Sequence, residues 1–260
     1  MTHPIYNIPC KEINSLDEAS GTENVYYKYK TIHFLYKING TSNNLLVSFH
    51  GSVPTNTPTP VFKGYKINNK MYNILAISDK LIEYDKSKKL TLSWYLTPNN
   101  FDYNQVYIEI ISFFNDKYEN LLFTGSSGGG FPSLFYASYF KKYALISNSQ
   151  LYLPKYCLFK NFYRILDGNI YLSECNIEKI IDKYGPPKLA YIYVNKNDGH
   201  HYHHHFLPFK KFIIDNKLTD QYKLINFIGS TPPENKTHHN ILYPRTENEI
   251  VIEIFGSMGE

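Results

Sequence analysis

The sequence predicts an α/β fold in which a mostly parallel sheet carries helices on both faces. Three observations predict it. Short apolar runs recur at residues 45–49, 72–77, 120–124, 143–147, 189–194 and 222–228, each ending in polar or glycine-rich turn residues. Between several of them lie segments with apolar residues at helical spacing. One glycine-rich turn joins an apolar run directly to such a segment. Strands that alternate with helices favour parallel pairing, because a parallel crossover needs a covering helix.

Taken in order, residues 1–24 read as polar and irregular. Over residues 25–37, Tyr, Ile and Phe alternate with Lys, Thr and His, the pattern of a half-buried hairpin. Residues 40–44 form a turn, and 45–49 a buried strand ending at His50-Gly51-Ser52. The prolines of 54–60 make a loop. Residues 72–77 and, more weakly, 90–95 read as strands. Val106, Ile110, Ile111 and Phe114 fall at helical spacing, so 103–115 reads as a helix. After the strand at 120–124, residues 131–142 read as a helix with Pro132 in its first turn, where a missing N–H does no harm. Residues 151–187 are helical pieces and a candidate small cap. Residues 208–216 read as an amphipathic helix before the last strand. No repeat or low-complexity linker divides the chain, so a single domain over 1–260 is expected.

Composition narrows the function. The chain holds 25 Tyr and 17 Phe, aromatic surface that has to be buried, which excludes a disordered protein. Only Arg164 and Arg245 stand among 27 basic residues, and the formal charge is +4. Phosphate and nucleic-acid sites favour the arginine fork, so no nucleic-acid partner is expected. Three scattered cysteines, Cys10, Cys157 and Cys175, make no disulfide framework. No long apolar run and no leader-like N-terminus are present, and a cytoplasmic protein without a membrane span is expected. The oligomeric state is unreadable.

The turn Gly125-Ser126-Ser127-Gly128-Gly129 matches G-x-S-x-G, between a strand and a helix. That motif places a serine on a sharp strand-to-helix turn where the residues two away on either side must lack side chains. Ser127 is therefore the expected nucleophile, and the Gly128 N–H points at a developing oxyanion. A phosphate-binding loop fits badly: no lysine follows at Walker spacing, and no G-x-G-x-x-G opens the first strand. In the order serine, acid, histidine, Asp198 follows the strand at 189–194, and His238 and His239 follow the last strand. His239 is the preferred base, because it stands two before the apolar anchor Ile241. The second oxyanion donor is expected from Gly51 or Ser52, with His50 bonding the loop backbone or touching substrate.

The run His200-His201-Tyr202-His203-His204-His205 admits three readings: incidental surface histidines, which is preferred, substrate contacts at His200 and His201, or a metal site. No carboxylate or cysteine stands near it at zinc-like spacing, so no metal is expected.

The stretch from Phe123 to Phe131 resembles the elbow of α/β-hydrolase-fold proteins of capsular polysaccharide biosynthesis, a group that includes serine-triad O-acetyltransferases. Asn148-Ser149-Gln150 resembles that family's Asn-Pro-Gln, with serine for proline. Residues 195–198 resemble its acid-bearing segment, and Thr237-His238-His239 its base-bearing Gly-Gly-His, with the glycines missing. The resemblance spans roughly 45–245, and only the elbow is specific. It implies an α/β-hydrolase fold and a Ser-His-Asp acyl transfer to a polysaccharide. It also brings in Asn148 and Gln150 as substrate-binding residues. Acetyl-CoA would be the donor, with no resident cofactor. An esterase or deacetylase is the alternative, identical up to the acyl-enzyme. A glycan-binding module on an inactive hydrolase fold is the third reading, and a peptidase or lipase a fourth.

Overall fold

A computed structural model describes residues 2–85, 90–99, 103–228 and 245–258. The strands are β1 (Cys10–Ile13), β2 (Tyr26–Tyr29), β3 (Ile32–Lys37), β4 (Asn44–Phe49), β5 (Asn73–Ile77), β6 (Asn120–Ser126), β7 (Tyr143–Ser147), β8 (Leu189–Asn195) and β9 (Tyr222–Phe227). The helices are α1 (Lys80–Tyr84), α2 (Tyr103–Lys117), α3 (Gly130–Phe140), α4 (Phe159–Ile165), α5 (Ile177–Tyr184), α6 (Gly199–His201), α7 (Leu207–Asp215) and α8 (Glu247–Ser257). The chain gathers into two compact units, Met1–Leu121 with Asn161–Ile170, and Leu122–Lys160 with Tyr171–Glu260.

In the first unit the strands follow the order β1-β2-β3-β5-β4. β2 and β3 form the antiparallel hairpin that the alternation predicts, and β3 also runs antiparallel to β5. β4 lies parallel to β5, with Val47 opposite Leu75. All five residues of β5 are buried, so it reads as an unbroken apolar run rather than an alternating one. α2 buries Tyr107, Ile110, Ile111 and Phe114. The Phe114 ring lies 4.5 Å from that of Tyr36 and 6.1 Å from that of Phe34, both on β3.

In the second unit β6, β7, β8 and β9 are parallel neighbours in sequence order. α3 crosses from β6 to β7, α5 from β7 to β8 and α7 from β8 to β9. The interior of β6 is buried over residues 121–125, whereas β9 is half exposed. Parallel strands, helical crossovers and a tight turn leading from β6 toward α3 make this an α/β-hydrolase fold.

Four parts depart from expectation. The polar N-terminal stretch contains β1, paired parallel to β2. Residues 90–95 form no strand, because Trp94 and Tyr95 hold φ of 54° and 59° and cannot join a ladder. Asp79 fixes that bend by accepting hydrogen bonds from Ser93 Oγ and, at 3.0 Å, from Tyr95 N. α1 begins on the same Asp79, whose carboxylate accepts from Leu81 N. α8 closes the described chain behind a capping box of Thr246 and Glu249. No helix among the described residues is long and apolar enough to cross a membrane.

Candidate active site

The turn after β6 is built as the G-x-S-x-G pattern requires. Ser127 has φ of 54°, in the left-handed region that a side-chain-bearing residue rarely occupies. Ser127–Gly129 then make one 3₁₀ turn that runs into α3. A Cβ on Gly125 would stand 2.1 Å from Gly129 O and 2.7 Å from Ser133 Oγ. Ser133 Oγ itself donates to Gly129 O at 2.8 Å, so neither neighbour can move freely. A Cβ on Gly130 would meet Ser149 Oγ at 1.9 Å. Backbone strain held by this much surrounding structure is a feature of functional turns.

Ser127 is nearly buried, and its Oγ accepts a 3.0 Å hydrogen bond from Gln150 Nε2. The backbones of the two residues are also joined, Gln150 N donating to Ser127 O at 3.1 Å. Gln150 is fully buried and lies on the loop after β7. That loop is pinned from two sides. Asn148, at φ of 41°, donates its N–H to Tyr193 O and accepts at Oδ1 from Asn195 N, straps of 2.9 and 2.8 Å to β8. His205 Nδ1 accepts from both Leu151 N and Tyr152 N at 3.2 Å. His205 is fully buried, and burial first, then the neighbouring histidines, pushes its imidazole down to about 2. A neutral ring that accepts at Nδ1 carries its proton on Nε2.

Asp198 stands just beyond β8 and caps α6, accepting from His201 N. Its Oδ1 is also 2.9 Å from His201 Nδ1, and both side chains are buried. The Tyr156 ring lies 5.7 Å from that of His200 and 6.0 Å from that of His201. Burial raises the Tyr156 phenol above its ordinary value, while a hydrogen bond with Gln150 opposes the rise. Ser127, Gln150, Tyr156, His201 and Asp198 thus form a linked set within the second unit.

No protein-family profile matches the chain, and no curated protein matches it in sequence. Solved structures similar to it include EstE5-PMSF, at 11% identity and a TM-score of 0.49, covering 87% of this chain and 80% of that one. The Pyrococcus furiosus esterase Pf2001 is similar in two crystal forms. One has 12% identity and a TM-score of 0.46, covering 97% of this chain and 98% of that one. The other has 10% identity and a TM-score of 0.43, covering 88% and 85%.

The remaining expected site residues fall as follows. Gly128 follows Ser127 in the 3₁₀ turn. His238 and His239 lie outside the described residues. Gly51 and Ser52 follow β4 in the first unit. There His50 is buried, its Nδ1 donating to Gly51 O at 2.8 Å and its Nε2 accepting from Asp79 N at 3.3 Å. Burial holds that imidazole neutral, so His50 is a strut of its loop. Asn148 has no exposure, and its side-chain carbonyl accepts from Asn195 N, which straps its loop to β8. The histidine run is not a set of surface residues throughout. His203 and His204 are exposed, but His201 and His205, one helical turn apart, face inward. His200 is half-buried, its ring 5.0–5.4 Å from those of His201, His204 and His205. Among the described residues no cluster of three or more side chains could hold a metal ion. Tyr156 and His205 were missed as site residues, since neither carries a motif of its own.

Gly125→Ala follows directly from this geometry. It is expected to destabilise the protein by about 3 kcal/mol, the upper range for overpacking. Urea unfolding of parent and variant checks it; unchanged stability would mean that the turn is looser than described.

Proposed function

We propose that this chain is a serine esterase that works through an acyl-enzyme on Ser127. One observation supports the reading above the others: Ser127 is strained at φ of 54° on the turn after β6, with its Oγ engaged by Gln150. Ser127 Oγ attacks the ester carbonyl as an imidazole takes its proton. The oxyanion accepts a hydrogen bond from Gly128 N–H. Collapse expels the alcohol, which takes the proton from the imidazolium, and water then releases the acyl group by the same steps in reverse roles. Asp198 holds the imidazole in the required tautomer. Chain order assigns the base to His239, while the Asp198–His201 hydrogen bond gives His201 the same relation to the carboxylate.

Transfer of the acyl group to a polysaccharide hydroxyl differs only in the acceptor, and the capsule-protein resemblance is what supports it. The test is acetyl release from a chromogenic acetyl ester, and separately from acetyl-CoA, with and without glycan acceptors. We expect ester hydrolysis that glycans do not accelerate. Acetyl groups found on the glycan by mass spectrometry, at the expense of acetyl-CoA, would replace the esterase reading with the transferase one.

A further inference from the structure

The Gln150 amide stands closer to the chemistry than a supporting residue needs to. It donates to Ser127 Oγ at 3.0 Å, from a side chain with no solvent exposure. Its own backbone N–H is tied to Ser127 O. The next two backbone amides, those of Leu151 and Tyr152, converge on His205 Nδ1. The amide therefore projects from an anchored loop. A donor on Oγ occupies a lone pair of that oxygen and leaves the hydroxyl proton for the base. When Oγ bonds to an acyl carbon, the new oxyanion forms two bonds from Oγ, so a short shift of the same N–H carries the hydrogen bond from one oxygen to the other. We propose that Gln150 is a catalytic residue of the Ser127 reaction, a side-chain donor that passes from Ser127 Oγ in the resting enzyme to the acyl oxygen in the tetrahedral intermediate.

This rests on the serine reading. It adds a side-chain source of oxyanion stabilisation beside the Gly128 N–H. Such a donor acts in the transition state and hardly at all on the bound ester.

The experiment compares Gln150→Ala and the near-isosteric Gln150→Glu with the parent on a chromogenic acetyl ester, with thermal unfolding of each. Gln150→Ala is expected to lower kcat by about 100-fold, the loss seen when one oxyanion donor is removed, with KM nearly unchanged. Gln150→Glu fills the same space but cannot donate when ionised. It is expected to be as slow near neutral pH and to recover relative to the parent as the pH falls and its carboxyl gains a proton. Asp198, His201, His205 and Tyr156 are common to both proteins, so the ratio to the parent is the quantity read. A purely structural role would leave Gln150→Glu active without such a recovery. Retention of kcat within about threefold by both folded variants would overturn the proposal. Failure of the serine reading looks different: the parent itself would show no Ser127-dependent turnover, whatever stands at position 150.

Discussion

Ser127→Ala is expected to lower turnover of an acetyl ester by roughly 10⁴- to 10⁶-fold and to cost about 1–3 kcal/mol of stability, because Gln150 Nε2 loses its buried acceptor. The backbone adds nothing to that cost. Alanine at φ of 54° bears the same steric cost as serine, because the cost lies in Cβ and not in Oγ. Ser127→Gly is expected to be equally inactive but more stable than Ser127→Ala by about 1 kcal/mol, since glycine occupies that region without strain. Turnover measured beside denaturant unfolding checks both. A fluorophosphonate should label the parent at Ser127 and not at the adjacent Ser126. Labelling at Ser126, or an active Ser127→Ala protein, would displace the nucleophile.

His239→Ala is expected to cost about as much, roughly 10⁴-fold or more in kcat, as loss of the proton-accepting imidazole requires. His238→Ala should stay within about tenfold of the parent. His201→Ala is the informative third variant. If His201 only orients the carboxylate, through the 2.9 Å contact with Asp198 Oδ1, its loss costs far less than that of His239. Collapse of activity in His201→Ala with a healthy His239→Ala would make Asp198–His201 the acid–base pair. A reversed order between His238 and His239 would move the base by one residue. Parallel kinetics on the three proteins decide among these.

Much of this fold was legible because its central strands are buried on both faces. Such strands appear as plain apolar runs, as β4 to β7 do; β8 and β9 also fall on apolar runs although they are only partly buried. The glycine-rich turn was legible for a related reason. Its constraint is steric, and a missing side chain at Gly125 shows in sequence as directly as in space. Other parts were hidden because partners far along the chain define them. Trp94 and Tyr95 have strong strand propensity, yet Asp79 bends them into left-handed conformations from 15 and 16 residues away. β1 is short and polar, and exists through its pairing with β2. α8 could have been found, since Thr246 and Glu249 spell a capping box ahead of an apolar run.

The place of Asp198 just after β8 was readable, but its hydrogen bond to His201 was not. A run of five histidines in six positions gives no sequence cue to which of them face inward. Helical geometry decides that, burying His201 and His205 and leaving His203 and His204 exposed. Gln150 came into view only through the resemblance around Asn148, and that resemblance does not contain its hydrogen bond to Ser127 Oγ.

A covalent acyl-enzyme on Ser127 can be trapped directly. The protein is mixed with an excess of chromogenic acetyl ester and quenched in acid within the first turnovers, then digested and read by tandem mass spectrometry. A single acetyl group on the hydroxyl of Ser127 is expected, formed in step with the burst of chromophore and absent from Ser127→Ala. Full turnover with no acetyl on Ser127 at any quench time, or an acetyl group on another side chain that survives in Ser127→Ala, would contradict it.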